Sequence, residues 1–353
     1  MPAETVAPAP PAEDEVLVAG RRFSGAALLN FLGRVREAGI LLALGLLVLV
    51  VALQEPRFIK PGNIKEILLS VSILAIVAVG ETLVVLTRNV DLSVGSVLGV
   101  TAFVCADLMK SSHGTPVIVA VLLGIAIGAG FGVINGLLVS VGRVPAIVAT
   151  LGTLYIYRGV DFIIASGKQV NAADVPDAFL NLATATVLGI PLLIIYAVVI
   201  VLVANYLLRR SRTGRELYAV GSNPDAARLA GVPSGKLVFG AFALSGALAG
   251  LGGVLWAARF ATVDAHAGSG FELAVVAAVV VGGVNIFGGS GTAIGAALGA
   301  ILLGTIENAL NVLNLDPFWL QAIQGAVIIA AVTFDALITR RLQRALRRAR
   351  SRA

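Results

Sequence analysis

Few residues in this chain are able to do chemistry, and most of those that are lie inside apolar runs. Glu81, Arg158, Asp161 and Glu307 do so, where an ionisable side chain is costly and normally faces a cavity or a partner. Arg158 and Asp161 stand three apart on one helical face and can neutralise one another. Glu81 has no local partner; it can hydrogen-bond a solute, pair with Arg88 or carry a proton. Asn135, Asn308 and Asn311 are amides that can both donate to and accept from hydroxyl groups, and helix-to-helix hydrogen bonding uses the same capacity. The stretch VDLSVGS (90–96), preceded by Asn89, adds Asp91 and Ser93, which can cap the exposed N–H groups of a helix start. Glu81, Asn89, Asp91, Ser93, Asn135, Glu307 and Asn308 thus form a candidate path for a polar solute, with capping and packing as the competing explanation.

Other chemistries have little support. Cys105 is the one cysteine, His113 and His266 are far apart, and no Cys/His cluster exists, so neither a metal site nor a disulfide is expected. GGVNIFGGSG (282–291) is rich in glycine but lacks the lysine of a phosphate loop. An intramembrane enzyme would need a nucleophile or metal set that is missing. Trp256, Trp319, Tyr155 and Tyr157 fall near the ends of apolar runs, where aromatic belts form.

The elements that must position these residues are membrane spans. Hydrophobic residues make up 58% of the 353 and charged ones 13%, and mean hydropathy is +0.95, against about 25% charged in a soluble domain. Apolar runs of about 17–25 residues, enough to cross roughly 30 Å of hydrocarbon, recur along the chain. The expected fold is an all-α polytopic membrane protein of about ten transmembrane helices at 38–53, 66–86, 93–110, 116–141, 145–164, 187–208, 236–257, 271–287, 291–306 and 318–338. Residues 1–37 are read as a disordered, basic N-terminal segment whose first fifteen residues are Pro/Ala-rich and acidic. Residues 38–338 are the ten-span transmembrane domain and 339–353 a basic tail. With both termini in the cytoplasm, 19 of the 26 Lys and Arg lie inside, which sets the orientation. The basic tail beside a terminal span reads as a lipid-headgroup and topology signal, and no nucleic-acid role is assigned.

The chain also repeats itself. VDLSVGS (90–96) returns as VDAHAGS (263–269), Gly80 corresponds to Gly253, Gly132 to Gly304 and Pro145 to Pro317, at a nearly constant offset. This maps spans two to five (66–164) onto seven to ten (236–338). The shift is by five spans, an odd number, so the second unit enters from the opposite side, giving the inverted repeat found in transporters.

Between the units lies a polar segment, 209–235. Within it Asn223 suits a helix N-cap, Pro224 the first helical position, Asp225 the positive end of the helix dipole, and Gly231 with Pro233 a stop. The result is a helix of about two turns, too short to be stable alone and in need of a partner surface.

DAARLAG (225–231) resembles the degenerate EAA-x-x-x-G loop through which permeases of ATP-binding-cassette importers dock into their ATPase subunits. TGRELYAVGSNPDAARLAGV, VDLSVGS, VPAIVATLGTLYIYRG and GSGFELAVVAAVVVGGVNIFGGSGTAIGA resemble the ribose/xylose/rhamnose-type sugar permeases, from about residue 60 to 338. The resemblance implies a ten-span bacterial inner-membrane subunit that is not itself an enzyme and binds no cofactor, since ATP and Mg serve the partner ATPase. It implies pairing with a second permease copy or paralogue, two ATPase domains and an extracytoplasmic sugar-binding protein. It implies a coupling role for Gly214, Arg215, Asn223, Pro224, Asp225, Ala226, Ala227, Arg228, Leu229, Ala230 and Gly231. RNVDLSVGS stands where ribose permeases carry GGIDLSVGS, a pattern nearer to rhamnose and autoinducer-2 permeases, so rhamnose or a related sugar, with autoinducer-2 or a pentose as others, is the expected solute. A self-sufficient proton-coupled transporter is the alternative.

Overall fold

A computed structural model describes residues 15–18, 21–112, 114–330 and 333, with side chains from residue 38. The opening tail, the end of the tenth expected span, the basic C-terminal tail and His113 lie outside the described residues. A short hairpin, β1 (Glu15–Val18) with β2 (Arg21–Ser24), precedes α1 (Gly25–Gln54). The hairpin and the first part of α1 fall within the N-terminal segment 1–37.

The rest is helical: α2 (Pro61–Leu86), α3 (Val94–Ser111), α4 (Val117–Ser140), α5 (Ala146–Ala165), α6 (Asp177–Thr184), α7 (Leu192–Arg210), α8 (Arg212–Ser222), α9 (Pro224–Leu229), α10 (Ser234–Phe260), α11 (Phe271–Val281), α12 (Ala293–Val312) and α13 (Trp319–Ala330). Among the described residues seven helices are long and apolar enough to cross a membrane, and three shorter apolar stretches, within α1 and at α11 and α13, match the remaining expected spans. Two expected boundaries move for local reasons. Thr186–Val187 (β3) and Ile190–Pro191 (β4) form a hairpin with Leu188 and Gly189 at positive φ, so α7 starts only after Pro191. The span expected to reach 287 stops at Val281, because Gly283, Gly288, Gly289 and Gly291 take positive φ and fold the chain into a tight turn. At about 1.5 Å per residue, α11 reaches only about half-way across a bilayer.

Packing inverts the pattern of a soluble helix. On α4 the buried residues are small or polar, Ala120, Gly124, Gly128, Gly132, Asn135 and Gly136, while Ile118, Leu122, Ile134 and Leu137 face outward. Glycines four apart let α4 and α10 meet backbone to backbone: a Cβ on Gly128 would strike the carbonyl of Gly246, one on Gly246 that of Gly128, and one on Gly250 that of Gly124. Lipid is as apolar as Leu, so close van der Waals contact rather than water exclusion holds such a crossing.

The duplication is visible in three dimensions. Gly132 of α4 packs on Phe242 of α10, and its repeat mate Gly304 of α12 packs on Val71 of α2. Asp91 Oδ1 accepts from the N–H of Ser93 at 3.0 Å, and the equivalent Asp264 Oδ1 from that of His266 at 2.8 Å. Arg88 and Ala261, 173 residues apart, are both left-handed, at φ 68° and 56°. Helices α2 and α10 run antiparallel, with Gly80 against Ser245 and Gly252 against Val77, so the two helix stops lie at opposite ends of the bundle, while the VD…GS stretches that follow them meet at Gly95 and Gly268.

Candidate functional site

The segment between the repeats holds two helices. The unforeseen α8 begins at Ser211, whose side chain accepts from the N–H of Gly214 at 2.9 Å, and it buries Gly214, Leu217, Val220 and Gly221. Gly214 and Arg215 therefore belong to this helix rather than to a loop. An Arg212–Glu216 pair one turn apart covers its outer face.

The expected short helix is α9. Asn223 Oδ1 accepts from the N–H of Ala226 at 3.1 Å. At the other end the N–H groups of Val232 and Gly231 reach the carbonyls of Ala227 and Arg228, both at 3.0 Å, with Gly231 at φ 77°. That closure needs a left-handed residue, which glycine supplies without a steric cost. Ala227 is the one buried residue of α9. Leu229 is 92% exposed, and the Asp225–Arg228 pair is in the open. The helix is thus capped at both ends and exposes a leucine beside an ion pair.

Four of the seven expected path residues meet. The Asp91 N–H donates to Glu81 Oε1 at 3.0 Å, Ser93 Oγ to Asp91 Oδ1 at 2.7 Å and Asn135 Nδ2 to Ser93 Oγ at 2.8 Å. All four are buried. Tyr157, expected in an interfacial belt, is buried instead; it stacks on Phe131 and donates to the carbonyl of Phe131 at 3.1 Å. Its hydroxyl also lies 3.5 Å from Asn135 Oδ1. The contacts that bury it are with α4, 22 and 26 residues away in sequence, so no local pattern signals it. Glu81 Oε2 has no hydrogen-bond partner among the described residues. Apart from that oxygen, the group is closed by protein-to-protein bonds, as buried polar groups in a membrane must be.

The other three lie elsewhere. Asn89 turns back to the carbonyl and hydroxyl of Thr87. Glu307 is exposed near the far end of α12, and Asn308 accepts from Asn63 Nδ2 at 2.8 Å, near the start of α2. They fail to join the cluster because the repeat is inverted, which sends the mates of Asn135 to the opposite end. The Arg158–Asp161 pair forms at 3.5 Å, and Arg158 also donates to the carbonyls of Ala265 and Ala267, holding the second VD…GS turn. A cavity of about 680 Å³ between α2, α7 and α10 is lined almost wholly by apolar groups and includes none of the path residues.

Arg88 does not pair with Glu81. Its Nε donates to the carbonyl of Gly221 and its Nη2 to that of Ser222 at 2.7 Å. The N–H of Gly289 donates to the carbonyl of Leu86 at 3.0 Å, and a Cβ on Gly221 would collide with Leu86 and Gly289. The ends of α2 and α8 and the glycine turn after α11 thus meet backbone to backbone.

Residues 63–332 match the family model described as branched-chain amino acid transport system, permease component. The autoinducer 2 import system permease of Salmonella typhi is 36% identical over 321 residues, covering 91% of each chain. The ribose import permease of Escherichia coli K12 is 37% identical over 320 residues, 90% of this chain and 97% of its own. The two identities are nearly equal, so the Arg88–Asn89 departure does not set ribose aside. No solved structure matches. By extent and identity, the chain belongs to the family of ATP-binding-cassette sugar-importer permeases that includes the ribose and autoinducer 2 proteins.

Proposed function

We propose that this chain is the membrane subunit of an importer that carries a small polyhydroxylated solute inward, with ATP hydrolysed by a separate subunit seated on α9. The observation that carries this reading is α9 itself: capped at both ends, buried only at Ala227 and exposing Leu229. A helix that short has no reason to be fixed so firmly without a partner. The buried set Glu81, Asp91, Ser93 and Asn135 supplies donors and acceptors of the kind a hydroxylated solute needs, and serves as the closed inner part of the path. In this reading the chain binds no ATP, Mg or other cofactor. A second copy or a paralogue completes the channel, and an extracytoplasmic binding protein delivers the solute. The charge asymmetry supports both termini, 209–235 and α9 on the cytoplasmic side of the bacterial inner membrane.

Ribose and autoinducer 2 are the first solutes to try, as those of the similar permeases, and rhamnose, towards which RNVDLSVGS points, is the third. The chain is reconstituted in lipid with its ATPase and binding protein, and uptake and ATP hydrolysis are measured for each solute. Uptake that requires all components and ATP is expected. Uptake by this chain alone, driven by a proton gradient, would overturn the reading in favour of a secondary transporter.

A further inference from the structure

Arg88 sits at a position its backbone does not favour. It closes α2 in the left-handed conformation, at φ 68°, with its own N–H on the carbonyl of Val85 and that of Asn89 on Val84. Glycine would adopt that conformation without strain. The side chain leaves the turn and crosses to another element, where it donates to two successive carbonyls, Gly221 and Ser222, at the end of α8. Asn223, the cap of α9, is the next residue. The stem of Arg88 lies against Gly288, and Gly289 is bonded to Leu86, so the turn is held on both flanks.

On the far side of Arg88 the chain passes through Asn89 and Val90 to Asp91, whose N–H is bonded to Glu81 and whose carboxylate holds Ser93 and, through it, Asn135. Two residues therefore separate a contact at the root of α9 from the buried polar cluster. Asp91 precedes α3, which starts at Val94, so it lies outside the helices on either side.

We propose that Arg88 is a positioning residue that ties the α8–α9 junction to the turn 87–93, so that movement of α9 is passed to the Glu81, Asp91, Ser93 and Asn135 cluster. This rests on the reading of α9 as the ATPase seat. The tie is one bidentate cation holding two carbonyls, a geometry that a guanidinium provides and an ammonium does not. It is a physical link between two sites, each able to shift, rather than a sequence correlation.

The test uses the complete chain in lipid nanodiscs with its ATPase, comparing hydrogen exchange of the peptides 86–96 and 223–232 before and after trapping with ATP and vanadate. In the unaltered protein both peptides are expected to change. Arg88→Gly suits the left-handed turn and so keeps the fold, ATPase binding and the change at 223–232, while the change at 86–96 is lost and, in sealed proteoliposomes, solute moved per ATP falls at least tenfold. Arg88→Lys, which keeps the charge but not the fork, should respond at 86–96 below the unaltered level. A full response at 86–96 in either variant overturns the proposal. Loss of ATPase binding in Arg88→Gly also overturns it, since the arginine would then serve docking. If the unaltered protein shows no change at 223–232, it is the reading of α9 that fails instead.

Discussion

The stability of α9 depends on so few groups that its behaviour can be worked out. The helix has six residues and one buried side chain, Ala227. Its ion pair, with Asp225 and Arg228 side chains 88% and 71% exposed, contributes at most about 0.5 kcal/mol. Replacing Asn223 by Ala removes the bond to the Ala226 N–H, a loss of about 1 kcal/mol. Replacing Gly231 by Ala forces a Cβ into φ 77°, roughly another 1 kcal/mol. The two changes are at opposite ends and do not touch each other, so they should nearly add. About 2 kcal/mol reduces the ratio of ordered to disordered α9 by roughly 30-fold.

If the ATPase binds only the ordered helix, its apparent affinity falls in proportion, by up to about 30-fold. The assay is titration of the ATPase onto the double variant in nanodiscs, alongside hydrogen exchange of the amides of 226, 227, 231 and 232. Gly235→Ala, at the first turn of α10 with open space around it, is the control and should leave both unchanged. A double variant with faster exchange but affinity within twofold of the unaltered chain would refute the reasoning, because the order of α9 would then be irrelevant to docking.

Four further outcomes are expected. Asn135→Leu removes one of the two hydrogen bonds of Ser93 Oγ, which keeps its bond to Asp91, costing about 0.5–1.5 kcal/mol, read as a lower unfolding temperature in detergent together with reduced uptake. Gly128→Leu at the α4–α10 contact should prevent a stable fold, whereas Gly152→Ala, with nothing near its Cβ, should be neutral or slightly stabilising in the same thermal assay. Asp174, outside the spanning helices, accepts from the Asn171 N–H and from Lys110, which together hold its carboxyl below the usual value. A depressed carboxyl pKa means its contribution is present at neutral pH and lost as pH falls through the folded value, so the 171–174 turn should be unchanged from pH 7 to 5 and loosen only in stronger acid, as seen by exchange of the Asn171 amide. Ala261→Gly relieves the left-handed strain at φ 56°, so stability should rise by about 1 kcal/mol with transport unaltered.

The sequence made the local chemistry legible and left the long-range chemistry dark. The caps of α9 were readable because Asn223, Pro224 and Gly231 act on backbone within four residues of themselves. The long apolar helices were readable by length. Periodicity, however, says little in a chain whose lipid side is as apolar as its interior, so the runs could not reveal that α11 stops short or that α4 packs through its glycines. Helix α8 was missed because its buried face rests on small residues, Gly214 and Gly221, beside Leu217 and Val220. The buried role of Tyr157 and the true partner of Arg88 depend on contacts 22 to 134 residues away in sequence, and no local pattern encodes them.

The inverted repeat supplies an internal comparison for Arg88. The duplication carries the same left-handed helix stop to Ala261 and the same aspartate-capped turn to Asp264, so the backbone geometry of residues 87–93 requires no arginine. At the opposite end of the bundle the stop is closed by a methyl group, and the following turn is held from outside by Arg158 on Ala265 and Ala267. At the α9 end the arginine is part of the stop itself and reaches the carbonyls that precede the α9 cap. A shared fold with an unshared contact separates what the architecture needs from what one end of it does. The strain of a left-handed arginine, about 1–2 kcal/mol, is offset by two charge-assisted hydrogen bonds at about 1.5–3 kcal/mol each. Breaking those bonds by moving α9 alone would forfeit that offset, so the lower-energy course is for α9 and the turn at Asp91 to move together.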